Sequence, residues 1–292
     1  MTLPALAITL GDPRGIGAEI ARRALADPRV AGACRWVVIG PSGLECLVDH
    51  AIGEWHPRQS DANAGRLAGK AIERAVAMCL AHEAVGIVTA PIDKHALHAG
   101  GYDYPGHTEM LAALTTRNVA MMLASDRLRV VLATTHVPLR EVPSLVTADV
   151  IARVARITRE GLRTLFGIAE PRLALCALNP HAGDGGRFGR EDDDVLAPAA
   201  RANGLLGPFP ADTVFVRAMR GEFDAVIAPY HDVGMTAIKV ASFGSAVNIT
   251  LGLPFVRTSP DHGTALDIAG QGKADPSSMI AAMLLAAKLA SR

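Results

Sequence analysis

Three of the ten histidines follow short apolar runs of the kind that form buried strands. His136, His181 and His231 each lie a few residues beyond the end of such a run. Ligands of open α/β sheets bind outside the carboxyl ends of the strands. Three imidazoles at that edge can bind a divalent metal and leave positions open for a substrate. The alternative is three loop histidines that are hydrogen-bonded to backbone, since no local motif such as HExxH is present.

Two Gly-rich segments lie close to strand ends. The stretch 182–187 follows His181, and its dense glycines would let backbone N–H groups approach an anion. A flexible turn before a helix is the alternative. The segment 11–17 also follows a strand and opens a helix, but it matches neither the P-loop nor the Rossmann glycine pattern. Tight structural packing is therefore the favoured interpretation of that segment.

Lys239, Asn248 and Arg257 lie in a stretch otherwise dominated by Val, Ile, Leu and Gly. Two cations in an apolar setting need an anion, because a buried unpaired charge costs several kcal/mol. A Lys and an Arg could clamp a phosphate, with Arg supplying a planar fork. Surface charge is the alternative. The short polar stretches 106–109 and 261–264 fit either a ligand contact or the start of a helix.

Short apolar runs alternate with amphipathic stretches along the whole chain. This pattern predicts an α/β protein with a largely parallel sheet. No long linker appears, so two domains would have to be closely packed or intertwined. The expected strands are 5–10, 36–40, 85–90, 130–133, 173–178 and 225–228, and the expected helices are 18–26, 61–82, 147–166 and 277–290.

Length and composition exclude several classes of protein. The chain has 292 residues, which fits one large domain or two ordinary ones. Lys plus Arg and Asp plus Glu are both 29, and aromatic residues are 4%, so nothing favours nucleic acid as a partner. No leader and no membrane-spanning segment is predicted. The four cysteines are interpreted as reduced and mostly buried, and we expect a cytoplasmic protein.

Taken together, these segments resemble the 4-hydroxythreonine-4-phosphate dehydrogenase family of pyridoxal phosphate synthesis. The resemblance runs from Ile8 to Ala269, which is nearly the whole chain. Its last stretch is long and highly specific. The matching stretches are ITLGDPRGIGAEI, GHTE, TTHVPL, LNPHAGDGG, ADTVF, YHD and VNITLGLPFVRTSPDHGTALDIAG.

The resemblance implies an isocitrate- and isopropylmalate-dehydrogenase-like fold of two α/β/α domains with a cleft between them. The first domain would be discontinuous, with residues 1–118 plus 250–292. The second, 119–249, would carry the metal-binding histidines and the dimer contacts. The protein would be a homodimer with shared active sites.

The resemblance also implies a set of site residues and cofactors. The cofactors would be NAD or NADP and a divalent metal (Zn, Co, Mn, Ni or Mg), with one of the metal ligands, His231, supplied by the partner subunit. Lys94 and Asp232 are candidate proton-transfer groups. The metal ligands fall on His136, His181 and His231, the substrate contacts on His107, Thr108, Lys239, Asn248 and Arg257, and the cofactor contacts on Asn248, Leu251, Asp261 and Thr264.

The chain departs from the family pattern at four places. Val233 stands where Gln is usual, beside a proposed metal ligand. Arg14 replaces a small residue, and Asp93 stands where Asn or His is more typical. The segment 41–61 looks shortened.

The predicted function is oxidation, with decarboxylation, of 4-hydroxythreonine 4-phosphate to 3-amino-2-oxopropyl phosphate. One alternative is a dehydrogenase for a threonate- or erythronate-like 4-phosphate. A second is a catalytically inactive sugar-phosphate-binding protein, and a third is a metal-dependent hydrolase or aldolase. Relatives that oxidise aromatic cis-dihydrodiols form a further, non-phosphorylated branch. The expected partner is a small phosphorylated hydroxy acid, with no nucleic acid and no membrane.

Overall fold

The computed structural model describes residues 3–242 and 245–292. The chain forms two compact units. The first contains residues 1–117 and 253–292, and the second contains residues 118–252.

The first unit is built on five parallel strands in the order β3-β2-β1-β4-β11. The adjacent strands β1 (ALAIT) and β4 (GIVT) contain only apolar or small residues, which suits strands that are covered on both faces. The bounds are β1 Ala5–Thr9, β2 Arg35–Ser42, β3 His50–Glu54, β4 Gly86–Thr89 and β11 Val256–Ser259.

The second unit has six strands in the order β10-β5-β6-β9-β7-β8. The four strands from β6 to β8 pair in parallel, whereas β5 pairs antiparallel with both β10 and β6. The bounds are β5 Ala120–Ala124, β6 Arg129–Leu132, β7 Leu173–Cys176, β8 Leu206–Phe209, β9 Ala225–Ala228 and β10 Val247–Leu251.

Helices connect these strands, and several begin at polar N-cap residues as expected. Ser60 caps α3 by accepting a hydrogen bond from Asn63 N, and Thr147 caps α7 by accepting one from Val150 N. The helices are α1 Gly17–Leu25, α2 Pro28–Ala31, α3 Asp61–Leu80, α4 Lys94–Ala99, α5 His107–Thr115, α6 Val142–Leu145, α7 Ala148–Thr164, α8 Ala197–Ala202, α9 Ala211–Met219, α10 His231–Ser242 and α11 Ser277–Ala290.

Each unit has its own apolar core, made largely of Ala, Val, Leu, Ile and Met. All four cysteines are free and buried, as predicted. Burial raises the pKa of the Cys34, Cys79 and Cys176 thiols to about 12, so they stay protonated and inert at neutral pH. Within the described residues, no helix combines the length and apolar character that a membrane crossing requires.

Candidate active site

A fully buried arginine lies at the centre of the candidate site in the first unit. Arg257, on β11, is only 2% exposed, and its Nη2 donates a hydrogen bond to Oγ1 of Thr89 at 2.7 Å. Thr89 is the last residue of β4, the strand beside β11, and is also fully buried. Burial lowers the pKa of Arg257 to about 10, and Glu109 opposes that shift. The side chain therefore remains cationic at neutral pH.

His107 begins α5 close to this arginine. The residue is partly exposed, but its Nε2 atom is inaccessible to solvent and has no hydrogen-bond partner among the described residues. Burial lowers the pKa of His107 well below its ordinary value, and the positive charge of Arg257 adds to the shift. The imidazole is therefore neutral, and one ring nitrogen is left for a ligand.

Lys94 and Glu109 both approach the turn that precedes His107. A Cβ atom added at Gly106 would lie 3.8 Å from Cε of Lys94 and 3.6 Å from Oε2 of Glu109. Asp93 caps α4 by accepting a hydrogen bond from Ala96 N at 2.7 Å, and this starts the helix at Lys94. The Lys94 side chain is exposed to solvent.

The loop of residues 11–17 is packed tightly, as the sequence predicted. Gly11 has φ +70°, and a Cβ there would lie 2.1 Å from the carbonyl oxygen of Pro91. Gly15 lies against Thr264, whose carbonyl oxygen accepts a hydrogen bond from Ile16 N at 3.0 Å. Thr264, a predicted cofactor contact, therefore fixes this loop through its backbone.

A cavity of about 450 Å³ opens beside the loop. Its wall includes Arg14, Glu19, Trp55 and the Gly-rich stretch 269–272. Glu19 is 8% exposed, and its Oε1 accepts a hydrogen bond from Ala274 N. Its Oε2 atom is buried and has no hydrogen-bond partner among the described residues.

In the second unit, the three predicted histidines follow three neighbouring parallel strands. His136 comes after β6, His231 begins α10 directly after β9, and His181 comes after β7. The carboxyl ends of parallel strands meet at one edge of a sheet. All three loops therefore leave from the same edge of the second unit.

Two of these histidines lie side by side within one chain. The ring centroids of His136 and His231 are 5.5 Å apart. Nδ1 of His231 lies 2.7 Å from Oδ1 of Asp232, which leaves the other ring nitrogen, Nε2, available for a ligand. The ring of His181 packs instead against Phe188. Over residues 3–242 and 245–292, no three His, Cys, Asp or Glu side chains gather closely enough to hold a metal ion.

The loop that carries His181 has an unusual backbone. Six consecutive residues, 181–186, have positive φ, three of them non-glycine. Asp192, only 1% exposed, anchors the start of the loop by accepting hydrogen bonds from Leu178 N at 2.8 Å and Asn179 N at 2.9 Å. Positive φ at non-glycine residues costs free energy and persists only where the surroundings enforce it.

A cavity of about 300 Å³ lies beside His181 and is lined by Asp212, Tyr230 and Val233 among others. Asp212 lies in the first turn of α9, in the ADTVF segment. Asp212 was not among the predicted site residues. Val233, the residue found where Gln is usual, also packs against the core cluster of this unit.

The remaining predicted residues of the second unit differ in their surroundings. Asn248, on β10, has a buried Oδ1 atom with no hydrogen-bond partner among the described residues. Leu251 is fully buried and packs against Gly161 of α7, so its side chain belongs to the core. Of the two cations, Arg257 is buried, whereas Lys239 is exposed within one chain. On α10, Ile238 packs in the core of the second unit, and Lys239 lies on the exposed face of the helix.

Asp261 and Thr108 are both partly buried in the first unit. Thr108 follows His107 in the first turn of α5. Asp261 N donates a hydrogen bond to Oγ of Ser278 at 3.4 Å, which ties the loop after β11 to the start of α11.

Three of the departures from the family pattern meet at one side chain. The Arg14 guanidinium forms ion pairs with Asp93 and with Asp61, the last residue of the shortened 41–61 segment. It also pairs with Asp12. The unusual Arg and the unusual Asp therefore stabilise each other.

Comparison with known proteins agrees with the sequence-based prediction. The chain is 44% identical over 321 residues to the 4-hydroxythreonine-4-phosphate dehydrogenase of Chromobacterium violaceum, with 98% of this chain and 97% of that protein covered. It is 43% identical over 338 residues to a protein of Bradyrhizobium diazoefficiens provisionally named D-threonate 4-phosphate dehydrogenase, with 99% and 98% covered. Both alignments are longer than the 292 residues of this chain, which therefore has gaps relative to both proteins.

Solved structures give the same result for the fold. The 4-hydroxythreonine-4-phosphate dehydrogenase of Klebsiella pneumoniae matches with a TM-score of 0.87 and 38% identity, over 98% of this chain and 99% of that chain. A β-decarboxylating dehydrogenase of Thermococcus kodakarensis has a TM-score of 0.53 and 15% identity over 97% of this chain and 82% of that chain, which shows the fold alone. The predicted isocitrate/isopropylmalate-dehydrogenase-like α/β class is confirmed.

The family model described as "Pyridoxal phosphate biosynthetic protein PdxA" matches residues 27–286. The prediction of an oxidoreductase is confirmed by the full-length dehydrogenase relatives. The chain belongs to the PdxA family of pyridoxal phosphate biosynthetic proteins.

Proposed function

We propose that this protein oxidises 4-hydroxythreonine 4-phosphate with NAD or NADP. The carbon that bears the substrate hydroxyl loses a hydride to the cofactor, and the hydroxyl oxygen loses its proton to the protein. The resulting β-keto acid loses CO₂, and the carbon that carried the carboxylate takes up a proton. The products are 3-amino-2-oxopropyl phosphate, CO₂ and the reduced cofactor. The relatives at 44% and 38% identity carry the corresponding enzyme name, which supports this substrate over the alternatives.

The observation that carries the proposal is the buried cation beside a neutral imidazole. Arg257 is held by Thr89 in the interior of the first unit, and His107 has a buried ring nitrogen ready for a ligand. A substrate phosphate would supply the acceptors that a guanidinium fork matches best. It would also accept or donate a hydrogen bond at the neutral ring of His107.

The second unit has side chains that suit a divalent metal. His136 and His231 lie beside each other, and the contact with Asp232 orients His231 so that Nε2 is free to bind. We propose that these two and His181 hold the metal, with ligands drawn from two subunits of a homodimer. A divalent cation there would act as a Lewis acid on the oxygens of the substrate.

The cavity beside Glu19 suits part of a dinucleotide. Its volume of about 450 Å³ lies in the range of small-molecule pockets, and the buried Oε2 atom of Glu19 would accept a hydrogen bond from a ribose hydroxyl. Asn248, Asp261 and Thr264 remain the proposed cofactor contacts. NAD or NADP supplies the hydride acceptor, and the choice between the two stays open.

The chain's own residues would bind, orient and move protons. Arg257 and His107 would fix the phosphate end of the substrate, and Lys239 and Asn248 of the second unit remain proposed substrate contacts. Lys94 is the proposed proton-transfer group in the first unit, because it is exposed and lies beside the turn that precedes His107. Asp232 orients His231 and is a second candidate.

The proposal is tested by a substrate panel read as reduced cofactor at 340 nm, with each divalent metal added in turn. The panel contains 4-hydroxythreonine 4-phosphate, threonate 4-phosphate, erythronate 4-phosphate and the dephosphorylated form of each. We expect the first compound to give the highest kcat/KM. A preference for threonate 4-phosphate would move the assignment to the sugar-acid branch. No turnover of any compound would favour a binding protein, a hydrolase or an aldolase.

Mixing of inactive subunits tests how the metal ligands are divided. If His136 and His181 of one subunit pair with the partner's His231, mixing His136→Ala with His231→Ala restores activity at one of the two sites. If His136 and His231 act from one chain, that mixture stays inactive, and His136→Ala mixed with His181→Ala regains activity. No recovery in either mixture, after subunit exchange is verified, would argue for sites built within single chains.

A further inference from the structure

One guanidinium in the first unit holds three carboxylates from three segments of the chain. Nη2 of Arg14 lies 2.8 Å from Asp12 Oδ2 and 3.4 Å from Asp93 Oδ1, and Nη1 lies 2.6 Å from Asp61 Oδ1. Asp12 belongs to the loop after β1, Asp61 begins α3, and Asp93 caps α4. Arg14 therefore joins the loop after β1 to the starts of two helices.

This network is anchored in the interior. Asp12 is 1% exposed and receives hydrogen bonds from Nε and Nη2 of Arg14, whose side chain is 18% exposed. The hydrogen bond to Asp12 holds the pKa of Arg14 above its ordinary value. Removal of the guanidinium would leave a buried carboxylate uncompensated and two further carboxylates repelling it. The Asp93 carboxylate would then lose its ion pair to the loop after β1.

The same two segments share a backbone contact. Asp12 N donates a hydrogen bond to the carbonyl oxygen of Pro91 at 3.0 Å. The side chain of Asp93 accepts from Ala96 N, so its position sets where α4 begins and where Lys94 emerges. The loop after β1 therefore fixes the chain at residues 91 and 93, immediately before Lys94.

We infer that Arg14 is a positioning residue that holds Lys94 in place through Asp93 and the start of α4. The inference rests on the proposed function, because it takes Lys94 as a group that works in the reaction. Arg14 does not touch the reacting atoms in this account, but it lines the cavity proposed for the dinucleotide, so kcat is measured at saturating cofactor and KM for the cofactor is determined separately. It acts by setting the direction in which the Lys94 side chain leaves the helix start.

The chain provides a matched control. Arg29 pairs with Asp27 in the same way that Arg14 pairs with Asp12, two residues apart, with Nε at 2.9 Å and Nη2 at 2.8 Å from the carboxylate. This second pair lies at the start of α2, away from the site described above. Arg29→Met therefore removes the same local ion pair without touching the start of α4.

The test is a double-mutant cycle on kcat with 4-hydroxythreonine 4-phosphate. We expect Arg14→Met to lower kcat by roughly 10- to 100-fold, as a displacement of about 1 Å does, and to change KM by less than about 3-fold. Arg14→Lys should restore part of kcat. Lys94→Met should lower kcat by a much smaller factor in the Arg14→Met background than in the wild type. In the Arg29→Met background it should lower kcat by the same factor as in the wild type.

Two results would overturn the inference. If the effects of Arg14→Met and Lys94→Met on kcat multiply, Arg14 acts on the reaction by a route other than Lys94. If Arg14→Met and Arg29→Met lower kcat alike, the ion pair has no special link to Lys94. Failure of the proposed function is a separate result, since wild-type protein would then not reduce the cofactor.

In that case the position of Lys94 is still measurable. Lysines are reductively methylated with ¹³C-formaldehyde, and the signal of Lys94 is assigned with Lys94→Met. The inference predicts that Arg14→Met shifts this signal and that Arg29→Met does not. An unchanged signal in Arg14→Met protein would refute it.

Discussion

Replacement of Arg257 by Ala should weaken binding of the phosphorylated substrate selectively. Arg257 is fully buried and donates a hydrogen bond to Thr89, and a charge-assisted contact to a phosphate contributes about 1.5–3 kcal/mol. This corresponds to about a 10- to 150-fold rise in KM for 4-hydroxythreonine 4-phosphate. KM for the dephosphorylated compound should change by less than about 3-fold, since it has no phosphate to lose.

The assay is steady-state formation of reduced cofactor with both compounds, for wild type and variant. Arg257→Lys keeps the charge but lacks the planar fork, so its KM for the phosphorylated substrate should lie between the values of the wild type and Arg257→Ala. Arg129→Met is the control for loss of a partly buried arginine. Burial lowers the pKa of Arg129 as it does that of Arg257, but Nη1 of Arg129 donates a hydrogen bond to the Asp224 carbonyl in the second unit. It should destabilise the protein without changing the preference for phosphate.

The reasoning would be refuted if wild-type protein used both compounds with equal kcat/KM. The activity would then belong to the branch that acts on substrates without phosphate. It would also be refuted if Arg257→Ala raised KM for both compounds by the same factor, because the side chain would then support the fold of the site without contacting a phosphate.

Three further predictions follow from local geometry. Gly11→Ala should lower the free energy of unfolding, measured by urea titration, by at least about 1–3 kcal/mol, because the added Cβ would collide with the carbonyl oxygen of Pro91. Gly32→Ala is the control and should not destabilise the protein, because a Cβ there meets nothing within 4 Å. Asp192→Asn should lower the free energy of unfolding by about 1–3 kcal/mol, since two backbone donors lose their charged acceptor. It should also weaken metal binding in calorimetry, and an unchanged metal affinity would show that the His181 loop does not contribute to the metal site. The pKa of His107 is lowered by folding, so its contribution to stability is present above the unfolded value of about 6.5 and decreases as pH falls below it. Melting temperature should therefore fall less between pH 7 and 5 in His107→Asn than in wild type, and equal slopes would argue against a buried neutral ring.

The strands and helices that the sequence predicted are all present, with ends within two residues of the expected bounds. Their apolar periodicity reflects burial, which is a local property of the sequence. Strand β5 was not predicted, because its sequence AMMLA has no β-branched residue and its antiparallel pairing with β10 depends on distant contacts.

The candidate site was predictable where a residue type points to one chemistry. The three histidines after β6, β7 and β9 stand out by their positions after apolar runs alone. Thr89 was missed because its partner Arg257 is 168 residues away in sequence, so no local signal marks the hydrogen bond. The exposure of Lys239 was not predicted, because the apolar composition of a segment does not tell which face of a helix a given residue occupies.

The measurement that tests the account most directly is the stoichiometry of the reaction with 4-hydroxythreonine 4-phosphate. Protein is incubated with this substrate, NAD or NADP and one divalent metal, and reduced cofactor, CO₂ and 3-amino-2-oxopropyl phosphate are quantified together. The account predicts that the three are formed in equal amounts, and that metal chelation stops all of them. Reduced cofactor formed from threonate 4-phosphate but not from 4-hydroxythreonine 4-phosphate would contradict it.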